Sequence, residues 1–268
     1  MSTHKNNNLF TWLLTIILTI LLSVTLNSIC LSTTVFSAHF TSNVLTEPYN
    51  AKIITNGINQ QVDSIQNKYS LPIKLPQEMF QVSEIKPIIQ TTIHRLYNGN
   101  PAIFSAQQIL ETFLLRLQKL TKININSGDL SIIFAKVQKY VLHIISKQLN
   151  TPLIQEEVAT FSNACARLRL ILIGSILFSL LFFMLIALQQ RQRILYYLGI
   201  SLMGAAIISI GSLWRIISQL IQIKLPLSMK IIHNFYSQVI CYNSYLLIIT
   251  FIMGIILLLI DYYHRRKS

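Results

Sequence analysis

The chain has 268 residues, 52% of them hydrophobic and only 12% charged, with a mean hydropathy of +0.52. Soluble domains carry about 25% charged residues, so this composition excludes a water-soluble globular protein as a description of the whole chain. The net charge of +13 does not mark a nucleic-acid face either: eight of the nine acids lie between Glu47 and Glu157, eleven Lys and Arg in that stretch leave it at +3, and the other basic residues stand at the ends of apolar segments.

Four stretches contain no Asp, Glu, Lys or Arg: Leu9 to Thr46, Leu170 to Gln190, Ile194 to Trp214 and Ile231 to Ile260. A charge at mid-membrane costs on the order of 3 kcal/mol even on mild scales. Such runs are therefore what a bilayer requires. The expected fold is an all-α integral membrane protein with about four transmembrane helices and an extracytoplasmic helical domain inserted between the first and second.

In chain order, residues 1–8 read as a cytoplasmic amino terminus and 9–31 as the first span. A cleaved signal peptide is the competing reading. Against it, the apolar run is a full span in length, roughly 20 residues. The cleavage pattern is also poor, because Phe36 sits two residues before Ala38. Ile29 before Cys30 argues against lipoprotein processing. Thr11, Thr15, Thr19, Ser23 and Asn27 recur every fourth residue and draw one polar stripe on this helix. Small polar residues let membrane helices approach closely and bond across the contact.

Residues 32–166 are expected to form the extracytoplasmic domain. It opens with a Ser/Thr-rich connector, Ser32 to Thr46. Helical periodicity begins after it, with Ile54, Ile58, Val62, Ile65 and Tyr69 at steps of three and four. A second candidate helix carries Val82, Ile85, Ile89 and Leu96, and Pro87 predicts a kink or a late start. Asn98-Gly99-Asn100-Pro101 is a turn signal. Ser105 with Gln108 has capping-box spacing, ahead of Leu110, Phe113, Leu117 and Leu120. A further stripe runs Leu130, Ile133, Val137, Val141 and Ile144. Thr151-Pro152, then Glu156 and Glu157, make a helix start, with a cap, proline in the first turn and acids near the positive end of the dipole. No breaker follows before residue 167, so one continuous helix is expected to run into the second span. These amphipathic helices mix Lys with Glu, Gln and Asn on their polar faces, which favours a packed bundle over helices lying on lipid.

The second span is expected at 167–188, a cytoplasmic turn at 189–193 and the third span at 194–214. The third span repeats the polar pattern with Ser201, Ala205, Ser209 and Ser212, flanked by Gly204 and Gly211. Residues 215–240 form an outer amphipathic loop, either an interfacial helix or outward extensions of the neighbouring spans, with Pro226 marking a turn. The fourth span is 241–262 and the cytoplasmic tail 263–268. The positive-inside rule puts Arg191, Arg193 and the Arg265-Arg266-Lys267 tail in the cytoplasm, and an even number of crossings puts the amino terminus there too. Arg167, Arg169 and Arg215 stand at outer ends and oppose this orientation; they are fewer, and their stems can snorkel.

No pattern in the sequence marks a catalytic, cofactor-binding or metal-ligating residue. The three cysteines, Cys30, Cys165 and Cys241, have no metal-motif spacing and read as small hydrophobes. An oxidising compartment would permit one disulfide, for instance Cys30 with Cys165, and the odd count leaves at least one thiol free. No two histidines share helical spacing of three or four, so no zinc pair is visible. Phosphate loops and Gly-x-Ser-x-Gly are absent. Asp261 is expected to pair with the basic residues after it. The outline of one span, a large loop and three more spans resembles that of claudins and tetraspanins, but their Cys-Cys-Gly and Gly-Leu-Trp signatures are missing and no family follows.

The function expected from this pattern is that of a non-enzymatic envelope protein in a cell membrane, its outward domain binding or scaffolding another envelope component. The expected partners are the lipid bilayer and a membrane or envelope protein, with no nucleic acid and no cofactor. The Asn/Ile/Lys bias suggests an AT-rich genome, and the lack of any Asn-x-Ser/Thr sequon points to a bacterium. Two alternatives stand beside it. One is a transport or export component using the polar stripes. The other is an interfacial enzyme on lipid or cell-wall precursors, with Glu156, Glu157, His94 and His143 as its candidate groups.

Overall fold

In the computed structural model, residues 3–69, 78–121, 151–221 and 229–267 are described. Among them there is no strand; the chain is helical, joined by short turns. The helices are α1 (Thr3–Thr33), α2 (Ala38–Thr46), α3 (Pro48–Tyr69), α4 (Val82–Tyr97), α5 (Ala106–Thr121), α6 (Pro152–Gln189), α7 (Ile194–Ile221) and α8 (Met229–Lys267). One 3-10 turn, Arg191–Arg193, links α6 to α7.

Four of these, α1, α6, α7 and α8, are long and apolar enough to cross a membrane. This is the make-up of a multi-pass membrane protein. Leu9–Thr33 forms the apolar part of α1 and Arg191–Arg215 covers that of α7. Helices α6 and α8 have 38 and 39 residues. At 1.5 Å per residue each is about 57 Å long, nearly twice the hydrocarbon core of a bilayer. Both begin well before the spans expected from the sequence at 167–188 and 241–262. Helix α7 continues past Trp214 to Ile221, and α8 starts at Met229. Pro226 lies outside the described residues, as does the stripe from Leu130 to Ile144.

The chain divides into two compact units. The first comprises Met1–Ser37, Cys165–Leu227 and Ile232–Ser268, and the second Ala38–Ala164 with Ser228–Ile231.

Within the second unit, Met79, Phe80, Ile85, Ile88, Ile89 and Ile93 form a buried cluster, flanked by Ile54 and Ile58 of α3 and Ile109 and Leu114 of α5. The Ser/Thr-rich connector is not a plain linker, since its last nine residues are α2. Thr41, Ser42 and Val44 are buried. The Thr41 hydroxyl is 2.6 Å from the Tyr97 hydroxyl on α4, and Thr46 donates to the Ser42 carbonyl. Hydroxyls that compete with helix in isolation here bond within the helix or across it.

Helix α4 starts five residues before Pro87. Proline lacks the N–H that would bond four residues back, and the cost falls with proximity to the helix start. The start is fixed instead by Glu84, whose carboxylate accepts the Gln81 N–H at 2.9 Å. The helix ends as the turn signal predicts: Gly99 takes φ 68°, the left-handed region where glycine is favoured, and its N–H reaches the Leu96 carbonyl. Ser105 accepts the Gln108 N–H at the start of α5, and Thr151 accepts the Ile154 N–H at the start of α6.

Candidate functional site

The most organised polar feature of the first unit is a seam between α1 and α7. The i, i+4 stripe on α1 meets the small residues of α7 in a fixed register. Thr15 faces Ser201, Thr19 faces Gly204, Ser23 faces Ser209 and Asn27 faces Ser212. Both numbers rise together, so the two helices run parallel.

The bonds can be assigned by donor supply. Ser209 Oγ donates to the Ser23 carbonyl at 3.3 Å, so the 3.1 Å contact between the two hydroxyls has Ser23 as donor. Asn27 Nδ2 donates to Ser212 Oγ at 2.7 Å, and Ser212 Oγ donates to the Ser209 carbonyl at 3.1 Å. Ser201 Oγ donates to the Thr15 carbonyl at 3.4 Å. Thr15 and Thr19 donate to the carbonyls four residues back in α1. Thr11, Thr15, Ser23, Ser201 and Ser209 are buried, as are Ala205 and Ala206.

An interhelical bond in a membrane protein averages about 0.6 kcal/mol. The four bonds across this seam then contribute about 2 kcal/mol, and close packing of small residues must supply the rest. No acid or base stands in either helix between Leu9 and Thr33 or between Ile194 and Trp214. The seam therefore lacks the general base that would turn a hydroxyl into a nucleophile.

The other contacts of this unit order its four helices. Thr11 donates to Gln189 Oε1 at 3.3 Å, and Leu14 and Leu18 pack on Ile186, so α1 and α6 are antiparallel. Gly199 meets Gly254 and Leu258, while Leu213 clusters with Leu247 and Cys30, so α7 and α8 are antiparallel. At the crossing of α7 and α8 a Cβ added to Gly254 would lie 2.9 Å from the Gly199 carbonyl oxygen, and the reciprocal distance is also 2.9 Å. The Arg265 guanidinium lies over the Tyr196 ring at 5.6 Å, and Trp12 packs edge-on against Tyr197 at 5.9 Å. The amino-terminal end of the α1 span, the Arg191–Arg193 turn and the carboxy-terminal end of α8 thus share one end of the bundle. Asp261 is buried there and takes Arg265 at 2.7 Å, as expected.

Of the candidate enzyme groups, three lie among the described residues. Glu156 and Glu157 are exposed on α6 and His94 is exposed on α4. His143 lies outside the described residues. All three cysteines are free thiols, Cys30 and Cys165 buried and Cys241 exposed, so the disulfide that spacing permits is not formed. Among the described residues no group of three His, Cys, Asp or Glu is placed to hold a metal.

Two buried amides were not singled out by their sequence context. Asn59 grips the backbone of Phe80 from both sides: its Nδ2 donates to the Phe80 carbonyl at 3.0 Å and its Oδ1 accepts the Phe80 N–H at 2.9 Å. Asn243 on α8 is only 3% exposed, and neither of its amide atoms has a hydrogen-bond partner among the described residues. An isolated Asn in a helical stripe gives no signal of either role.

Comparison with protein-family models, curated proteins and solved structures finds no match for this chain.

Proposed function

We propose that this protein resides in a bacterial cell membrane with both termini in the cytoplasm, and that residues 32–166 form an outward helical domain that binds or scaffolds another envelope component. The observation that carries the orientation is the shared bundle end. Arg191, Arg193, Arg265 and Arg266 gather where α1 enters and α8 leaves, and Lys5 and Lys267 belong to the same ends by sequence. Arg167, Arg169, Arg215, Lys224 and Lys230 flank the spans on the opposite side, five against six. Positive residues are retained on the cytoplasmic side.

Support for a binding role is a separately packed helical unit with its own buried cluster. The polar seam favours anchoring over transport, because its hydroxyls bond helix to helix. The test is photo-crosslinking in intact cells from exposed positions Lys52 and Gln60, with Gln192 as the control on the other side. The proposal expects a discrete adduct of the same mass from both outward positions and none of that mass from Gln192. Failure of both outward positions to give a reproducible adduct refutes it.

A further inference from the structure

We propose that the end of the bundle formed by the Arg191–Arg193 turn and the carboxy-terminal turn of α8 is a binding surface for anionic phospholipid headgroups of the adjoining leaflet. The proposal rests on the four helices being membrane spans, and not on which compartment this end faces.

The surface is assembled from segments some seventy residues apart in sequence. Arg191 and Arg193 are exposed on the 3-10 turn, and Arg266 is exposed on the last turn of α8. The stacking of Arg265 on Tyr196 joins the two segments, because Tyr196 follows Arg193 by three residues. The acid at this end of the described bundle is Asp261, and it is buried and held by Arg265 at 2.7 Å. That pair leaves Arg191, Arg193 and Arg266 without an acidic partner among the described residues. A guanidinium presents a planar fork of donors that matches phosphate geometry.

The apolar half of a lipid has a place beside it. Ile256, Leu259, Ile260, Tyr262, Tyr263 and His264 line an open hollow along the outer face of α8, on the stretch that leads up to Arg266. Tyr262 and Tyr263 are exposed, and with Trp12 they form an aromatic collar at the level where such rings meet headgroups. The Arg266 guanidinium at the end of an aromatic and aliphatic trough, with Arg191 and Arg193 at the same end of the bundle, is complementary to phosphates carrying acyl chains. A zwitterionic lipid offers the same chains without net charge. Each basic side chain near a bilayer surface raises affinity for anionic lipid by a factor of about 5.

The two tryptophans permit a direct test, because Trp12 lies at the basic end and Trp214 near the far end of the same bundle. The protein is reconstituted in bilayers containing brominated lipid, which quenches nearby indole. Trp214→Phe leaves Trp12 as reporter, and Trp12→Phe leaves Trp214. At low salt the expected relative affinity of anionic over zwitterionic lipid at Trp12 is about 5-fold or more. It falls towards one in 0.5 M salt, and in the triple variant Arg191→Gln, Arg193→Gln, Arg266→Gln. The ratio at Trp214 is unchanged by that triple variant, which also reports that the bundle is intact. A ratio near one at Trp12 in the unaltered surface overturns the proposal, and so does a preference that persists in the triple variant or in high salt. If the triple variant alters the Trp214 ratio, the salt series on the unaltered surface decides by the same two outcomes.

Discussion

The crossing of α7 and α8 makes a quantitative prediction. Gly254→Ala places a methyl 2.6 Å from Met203 Cγ, 2.9 Å from the Gly199 carbonyl oxygen and 3.1 Å from the Met203 nitrogen. The methionine side chain can turn aside. The two backbone atoms cannot, and an ordinary contact needs about 3.4 Å, so the helices must part by roughly half an ångström along that line. Overpacking of this kind costs about 1–3 kcal/mol. Replacing glycine with alanine in a helix gains about 1 kcal/mol, leaving a net loss between about 0 and 2 kcal/mol. Gly174→Ala supplies the reference, because a Cβ there meets nothing within 4 Å. It has the propensity gain alone, so the two variants should differ by about 1–3 kcal/mol, with propensity cancelling. Because Gly199 and Gly254 face each other's carbonyls, the second alanine enters a gap the first has already opened. The Gly199→Ala, Gly254→Ala pair should therefore cost less than the sum of the singles. Reversible unfolding of the detergent-solubilised protein, followed by helicity, measures all four. Gly254→Ala matching Gly174→Ala within 0.5 kcal/mol, an order-of-magnitude threshold for a neutral surface change, would refute the close approach.

Four further outcomes are expected. Asn59→Ala removes both bonds to the Phe80 backbone, a loss of about 1–3 kcal/mol, seen as faster amide exchange around Phe80. Asn27→Leu loses the bond to Ser212 and costs about 1 kcal/mol in the same unfolding assay. Asn243→Leu replaces an enclosed, unpartnered amide with a side chain of similar size and should raise stability by about 1 kcal/mol. The denatured protein without reductant should titrate as three thiols, since none is paired; a count of one would show that two of them form a disulfide.

The spans are legible in the sequence because a bilayer forbids what it does forbid at every position: Leu170 to Gln190 needs only the absence of charge to be assigned. Thr151-Pro152 and Asn98-Gly99 are equally plain, since each depends on one residue's own chemistry, a capping hydroxyl or a left-handed glycine. Helix α2 is not legible. Its Ser and Thr residues signal a connector until Tyr97, fifty-six positions away, supplies the partner for Thr41. Pro87 misdirects the start of α4 because the stronger cue, Glu84 reaching back to Gln81, comes from a residue pair with a modest capping preference. The stripe from Thr11 to Asn27 shows that α1 has a polar face, but only the register with Ser201, Ser209 and Ser212 shows that this face is closed against a parallel helix. The crossing at Gly199 and Gly254 escapes for the same reason: a glycine marks permission for close approach and does not name the neighbour.

The most direct test of the proposed arrangement is sidedness in intact cells. On a background with Cys30, Cys165 and Cys241 replaced by serine, single cysteines are placed at the exposed positions Asn98 and Gln192. A membrane-impermeant maleimide is applied before and after permeabilisation. The account predicts that Asn98→Cys is labelled in intact cells and Gln192→Cys only after permeabilisation. Labelling of Gln192→Cys in intact cells, with Asn98→Cys protected, would contradict it.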